Sequence, residues 1–173
     1  EYTQLSGTSM SSPQIAGAAA PLRSVHPDWS VSQLSSTIET TATPDYATDF
    51  GPTYVGDPEV FGLSAFDCGV GRPQLDEAVN AGLFLVVADN EWRDADPLQG
   101  GDPQDLKLAG LVDTECEDVC SFSRTVTDQM GGASWTATAI DFPAGVGVSI
   151  SPASFQLAAN ASQELQIDVD RKS

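Results

Sequence analysis

Basic residues are scarce in this chain: seven Lys and Arg stand against 25 Asp and Glu, a formal charge of −18 over 173 residues. Such an excess of negative charge repels polyanions, which excludes nucleic acid and anionic lipid as partners. Long apolar runs are missing too. None approaches the roughly 18 residues needed to cross a bilayer, so membrane insertion is also set aside. A single histidine and three cysteines, with no second pair of closely spaced cysteines, leave too few soft ligands for a zinc centre. Repeats and low-complexity tracts are absent. What is present, 40% hydrophobic and 18% charged residues, fits a globular protein with room for one medium domain or two small ones. The acid excess suits secretion or a saline habitat, although an ordinary acidic surface is the simpler reading.

The few cysteines are informative by position. Cys116 and Cys120 stand in ECEDVC, where a short loop brings two Cβ atoms within bonding reach. A Cys116–Cys120 disulfide is therefore expected, and with it an oxidising, extracellular compartment; two isolated thiols are the alternative. Cys68, in AFDCGVG, reads as a small buried hydrophobe. The chain opens on Glu1 without a basic region followed by an apolar one, so any signal peptide is expected further upstream.

Along the chain, Ile15, Ala16, Ala19, Ala20 and Leu22 recur at helical spacing, predicting a helix from Met10 to about His26. HPDWS interrupts it, because Pro27 lacks an amide donor and disfavours helical geometry at the residue before it. Ser30 restarts a helix as N-cap, with Gln33 in the capping-box position, and that helix is expected to stop near Thr41. Thr43 to Gly62 is rich in proline and glycine and reads as an irregular excursion. RPQLDEAVNAGL predicts a third short helix with Gly82 as its stop. The apolar LFLVVA that follows is either a buried strand or the tail of that element. Residues 89–105 carry six acids, two prolines and adjacent glycines, the composition of a linker. Beyond it the period becomes two: Leu165, Ile167 and Val169 alternate with polar neighbours, and shorter apolar pairs repeat the theme between turns. An all-β sandwich is expected over residues 106–173, preceded by a mainly helical part over residues 1–88.

The opening segment carries the chemistry. A serine alcohol is a poor nucleophile until it is exposed, positioned and paired with a base, and a helix N-terminus offers free amides to developing negative charge. Ser9 sits where the first helix begins, Gly7 leaves space for an approaching backbone, and Pro13 lies near the first turn, where a missing amide costs little. The small residues from Ala16 to Ala20 would let this helix pack closely against a sheet.

GTSMSSPQIAG, Gly7 to Gly17, resembles the active-site serine block of subtilisin-like serine peptidases, matching at Gly7, Thr8, Ser9, Met10, Pro13, Ala16 and Gly17. FDCGVGRPQLDEAVNAGL resembles the last segment of that catalytic domain, and the acidic linker with CSFSRTVTD resembles the start of the fibronectin type III-like domain that follows it in several secreted subtilases. The resemblance implies an α/β peptidase domain whose C-terminal, mainly helical part is residues 1–88, an acidic linker over 89–105 and a fibronectin type III-like sandwich over 106–173. It implies a secreted serine endopeptidase acting on proteins or peptides through an acyl-enzyme on Ser9, with the Ser9 backbone amide as one oxyanion donor. In that family the catalytic Asp and His and the oxyanion Asn precede the serine, and only eight residues do so here, so residues 1–173 alone are expected to be inert. His26 is no substitute base: seventeen residues of helix separate it from Ser9 by about 25 Å, far beyond the roughly 3 Å that proton transfer needs. It reads as a surface histidine at a helix end. Residues 1–88 are expected to fold loosely alone, and the sandwich independently.

Other candidates carry less. No cofactor is required. Asp89, Glu91, Asp94 and Asp96 gather hard oxygen ligands and leave room for an unassigned structural calcium, but their spacing matches no complete calcium loop. Trp135 reads as a core residue rather than a ligand platform, and Arg72 as an anchor for the third helix. Asn160-Ala161-Ser162 is a formal glycosylation sequon, meaningful only in a eukaryotic secretory pathway. The competing function is a non-catalytic adhesion or substrate-docking module, in which the sandwich does the work. A scaffold that has lost catalysis would have had no need to keep the nucleophile block.

Overall fold

A computed structural model describes residues 7–43, 69–103, 106–113, 116–140, 142 and 145–171. The irregular excursion expected beyond Thr43 and the reading of Cys68 lie outside the described residues. The chain forms two compact units, Glu1–Ala81 and Gly82–Ser173.

The first unit is helical. Helix α1 spans Thr8–Val25 and α2 spans Val31–Thr40, close to the expected bounds. Pro27 and Asp28 turn between them, and the Trp29 amide bonds the His26 carbonyl. The predicted capping box is present: the Ser30 hydroxyl accepts from the Gln33 amide and the Gln33 side chain accepts from the Ser30 amide. Helix α3, Leu75–Ala78, is a single turn. Leu22, Leu34, Ile38 and Ala78 form the core of this unit, with Ala19, Trp29 and Val79 packed against it. Thr43 and Arg72 exchange both backbone hydrogen bonds, so Arg72 contributes through its main chain ahead of α3.

Among the described residues no strand covers the small-residue face of α1. Only Ala18 and Leu22 are buried along its length, and Ile15 is 42% exposed. The partners of α1 among the described elements are α2 and α3, which cover one stripe of it.

In the second unit the ambiguous LFLVVA resolves into strand β1, Leu83–Leu85, antiparallel to β2, Val119–Asp128. Within the acidic stretch read as a linker, Asp89–Asp94 is a short helix, α4, and Pro97–Gln99 a 3-10 turn capped by the Asp96 carboxylate. The remaining strands are β3, Gly132–Thr136; β4, Gly147–Ser151; β5, Ser154–Ala158; and β6, Ser162–Asp170. They form a four-stranded sheet in the order β1-β2-β6-β4 and a two-stranded sheet, β3-β5. Every strand pair is antiparallel.

Register explains the period-two pattern. Cys120, Phe122 and Arg124 stand opposite Val169, Ile167 and Leu165 on one face, while Ser121 and Ser123 stand opposite Asp168 and Gln166 on the other. On the polar face Ser121 donates to Asp168 at 2.7 Å and Thr127 meets Ser162 at 2.8 Å. Two inward positions of β2, Arg124 and Asp128, break the apolar rule. Arg124 is 7% exposed and donates to the carbonyls of Leu108, Ser123 and Gly110 at 2.6, 2.8 and 2.8 Å, fastening the segment before β2 to the sheet. Burial pulls its pKa down from the ordinary guanidinium value.

Candidate active site at the start of the first helix

Gly7, the N-cap of α1, has φ 139° and ψ 174°, a backbone shape that a side chain rarely tolerates. Its carbonyl accepts from the Met10 amide at 3.0 Å and the Ser11 amide at 3.2 Å, which starts the helical ladder at the third helical residue. No side chain caps this end. The amides of Thr8 and Ser9 precede the ladder, so they point outward from the positive end of an 18-residue helix dipole. Gly7, Thr8 and Ser9 are exposed, and Met10 is half-buried beneath them. A Cβ at Gly7 would meet no atom within 4 Å, so conformation rather than crowding calls for glycine there.

Pro13 sits deeper in α1 than its expected place near the first turn. It is the sixth helical residue, so its missing amide leaves the Ser9 carbonyl without its helical donor. Pro21 does the same to Gly17, and α1 carries both prolines within one continuous run. The arrangement therefore presents an exposed hydroxyl at Ser9, two unspent amides beside it and a helix dipole aimed at the same point, the components that stabilise an anionic intermediate.

His26 lies at the other end of α1, about 25 Å away by helical rise. It is half-buried rather than a free surface group: Nε2 is 2.9 Å from the Val79 carbonyl, and the ring stacks on Trp29 with centroids 3.7 Å apart and planes 2° apart. Arg23 reaches over the same corner to the carbonyls of Pro27 and Trp29. This histidine ties the α1–α2 corner to the end of α3, a tertiary role that no local sequence signal announces.

Cys116 and Cys120 are joined by a disulfide, with Cα atoms 5.7 Å apart. Arg171 holds the bridged loop against the end of β6, through its amide to the Asp118 carbonyl at 3.0 Å and its guanidinium to the Cys116 carbonyl at 2.7 Å. Two of the four acids weighed for calcium make local hydrogen bonds: Glu91 accepts from the Ala88 amide, and Asp96 from the Leu98 amide and the Gln99 side chain. Among the described residues those four carboxylates do not cluster. The cluster with metal-ligand spacing is Asp113 with Cys116 and Cys120, and the disulfide occupies both sulfurs.

One further residue escaped the sequence reading and another was misassigned by it. Asp128 is fully buried, and its Oδ2 accepts from the amides of Gly131 and Gly132 at 2.9 Å each, shaping the β2–β3 turn. Gly82 stops no helix, since α3 has ended at Ala78; its Cα instead lies under the Trp135 ring, where an added Cβ would be 2.3 Å from Cη2.

The sequence profile of the subtilase family (Peptidase S8) matches residues 1–97. Among curated proteins of Arabidopsis thaliana, subtilisin-like protease SBT1.7 is 28% identical over 178 residues, covering 88% of this chain and 23% of that protein. Subtilisin-like protease SBT4.9 is 40% identical over 91 residues, covering 53% of this chain and 12% of its own length. Over a shorter stretch of 43 residues, subtilisin-like protease SBT4.3 reaches 58% identity, covering 25% of this chain and 6% of its own. The chain thus spans about a quarter or less of these relatives.

Proposed function

The chain belongs to the subtilase family, and from that premise we propose that it carries the nucleophile of a serine endopeptidase, Ser9. One observation carries the reading: in the GTSMSSP segment, Ser9 is exposed at the uncapped positive end of α1, with its own amide unspent. The Ser9 oxygen attacks the scissile carbonyl of a protein or peptide, and the resulting oxyanion is held by the Ser9 amide and the helix dipole. Gly7 leaves the approach to that amide clear, Thr8 and Met10 flank it, and Pro13 lies one turn further along the helix. The base that accepts the Ser9 proton, its orienting Asp and the second oxyanion donor come from other parts of the enzyme, because His26 is spent at the far end of the helix. Residues 1–173 alone are therefore inert.

Strands β2 to β6, within residues 106–173, support reading that segment as a fibronectin type III-like domain of the enzyme, and the Cys116–Cys120 disulfide accords with an extracellular site of action. The test is labelling by a fluorophosphonate, which phosphonylates activated serines as fluoride leaves. In the full-length enzyme Ser9 is labelled and Ser9→Ala removes both label and proteolysis. The expected loss is about 10⁶-fold, the size known for subtilisin itself rather than one worked from this chain. Residues 1–173 are neither labelled nor active. Proteolysis that survives Ser9→Ala in the full-length enzyme would overturn the assignment.

A further inference from the structure

The sequon Asn160-Ala161-Ser162 remains unexplained by peptide hydrolysis. We propose that Asn160 is the acceptor of an N-linked glycan. The inference rests on the extracellular reading above, with export through a eukaryotic secretory pathway.

The middle residue of the sequon is Ala, which leaves it readable, whereas proline would block it. Ala159 and Asn160 form the turn between β5 and β6. Asn160 is exposed with φ 59°, the left-handed conformation that asparagine tolerates better than other residues bearing a side chain. The turn is held by its backbone alone: the Ala161 amide bonds the Ala158 carbonyl at 3.0 Å, and the Ala161 carbonyl accepts from the Asp128 amide at 3.0 Å. The Asn160 carboxamide is not spent on either bond. A large hydrophilic substituent there projects into water without displacing any packed group. The Cys116–Cys120 disulfide in the same unit is the observation behind that extracellular reading.

In the transfer, Nδ2 of Asn160 attacks C1 of the first N-acetylhexosamine of a lipid-pyrophosphate oligosaccharide. A C–N bond forms, the C1–O bond to pyrophosphate breaks, the lipid pyrophosphate leaves with the electron pair, and one Nδ2 proton passes to a base of the transferase. No redox partner is needed. The Ser162 hydroxyl that completes the sequon is exposed and lies 2.8 Å from Thr127 Oγ1 in the folded unit.

The test uses the full-length gene product secreted by plant cells, digested with N-glycosidase A in heavy-oxygen water and mapped by mass spectrometry. Asn160 is recovered as heavy-labelled Asp, Ser162→Thr keeps the label, and Asn160→Gln and Ser162→Ala each abolish it. Unmodified Asn160 in secreted protein whose Cys116 and Cys120 are oxidised overturns the proposal. Retention in the cell with both cysteines reduced overturns it too, at the export on which it rests. Fluorophosphonate labelling of the same sample separates the two readings: bare Asn160 with labelled Ser9 defeats the glycan alone, and glycosylated Asn160 with unlabelled Ser9 defeats the peptidase assignment alone.

Discussion

Replacing Arg124 by Met tests whether a buried cation organises the second unit. The guanidinium gives one hydrogen bond to each of three carbonyls, at Leu108, Ser123 and Gly110. A bond from a charged donor contributes about 1.5–3 kcal/mol with its desolvation already included, and bonds that share one donor group do not add in full. Loss of the fork in Arg124→Met therefore costs about 3 kcal/mol, the upper end of that range. The loss is local at first, because Leu108 and Gly110 belong to the segment that the guanidinium ties down. Hydrogen exchange followed by mass spectrometry reads it directly: amides of residues 106–113 and of β2 exchange about 100-fold faster, since each 1.4 kcal/mol is tenfold. Arg124→Lys is no rescue. It keeps the desolvation cost and cannot present a planar fork to three acceptors, so it loses at least as much as Met. Exchange in Arg124→Met indistinguishable from the parent protein would refute the reasoning, and recovery by Lys would show that charge rather than geometry is what counts.

Gly82→Ala should cost about 1–3 kcal/mol through overpacking, because its Cβ would fall 2.3 Å from Trp135 and 2.6 Å from Met130 Sδ. Thermal unfolding checks this, and the added change Trp135→Phe should return part of the loss through coupling between touching residues. Ser30→Ala removes the acceptor for the Gln33 amide and should destabilise α2 by about 1 kcal/mol, measured by chemical denaturation. The Asp168 carboxyl is held below its ordinary pKa by hydrogen bonds from Ser121 and then Gln166. A lowered folded-state pKa stabilises above the unfolded value of about 3.9, and the contribution disappears as pH falls through the folded value. Carboxyl titration by NMR should therefore find the Asp168 midpoint depressed, and Ser121→Ala should move it upward; an unmoved midpoint would dissociate the shift from that bond.

Some of this protein is written locally. Pro27 ends one helix, Ser30 and Gln33 start the next, and the alternation of Leu165, Ile167 and Val169 declares a strand with one buried face, because each signal depends on neighbours within about four residues. The serine block was legible for a similar reason: its glycine, serine and proline lie within seven consecutive residues. Even the buried arginine left a trace, since Arg124 falls on the inward side of a strand whose other inward residues include Cys120 and Phe122. Its partners left none. Arg124 finds carbonyls 14 and 16 residues away, His26 a carbonyl 53 residues away, and β1 a place on a sheet whose next strand starts at Val119. Likewise, nothing local tells Gly82 that a tryptophan ring will lie over it. Composition and short-range spacing determined where the chain turns, which residues seek the interior and where the nucleophile segment lies. Tertiary structure alone decided who meets whom, because pairing across the fold depends on chain ends brought together by the burial of all the other elements at once.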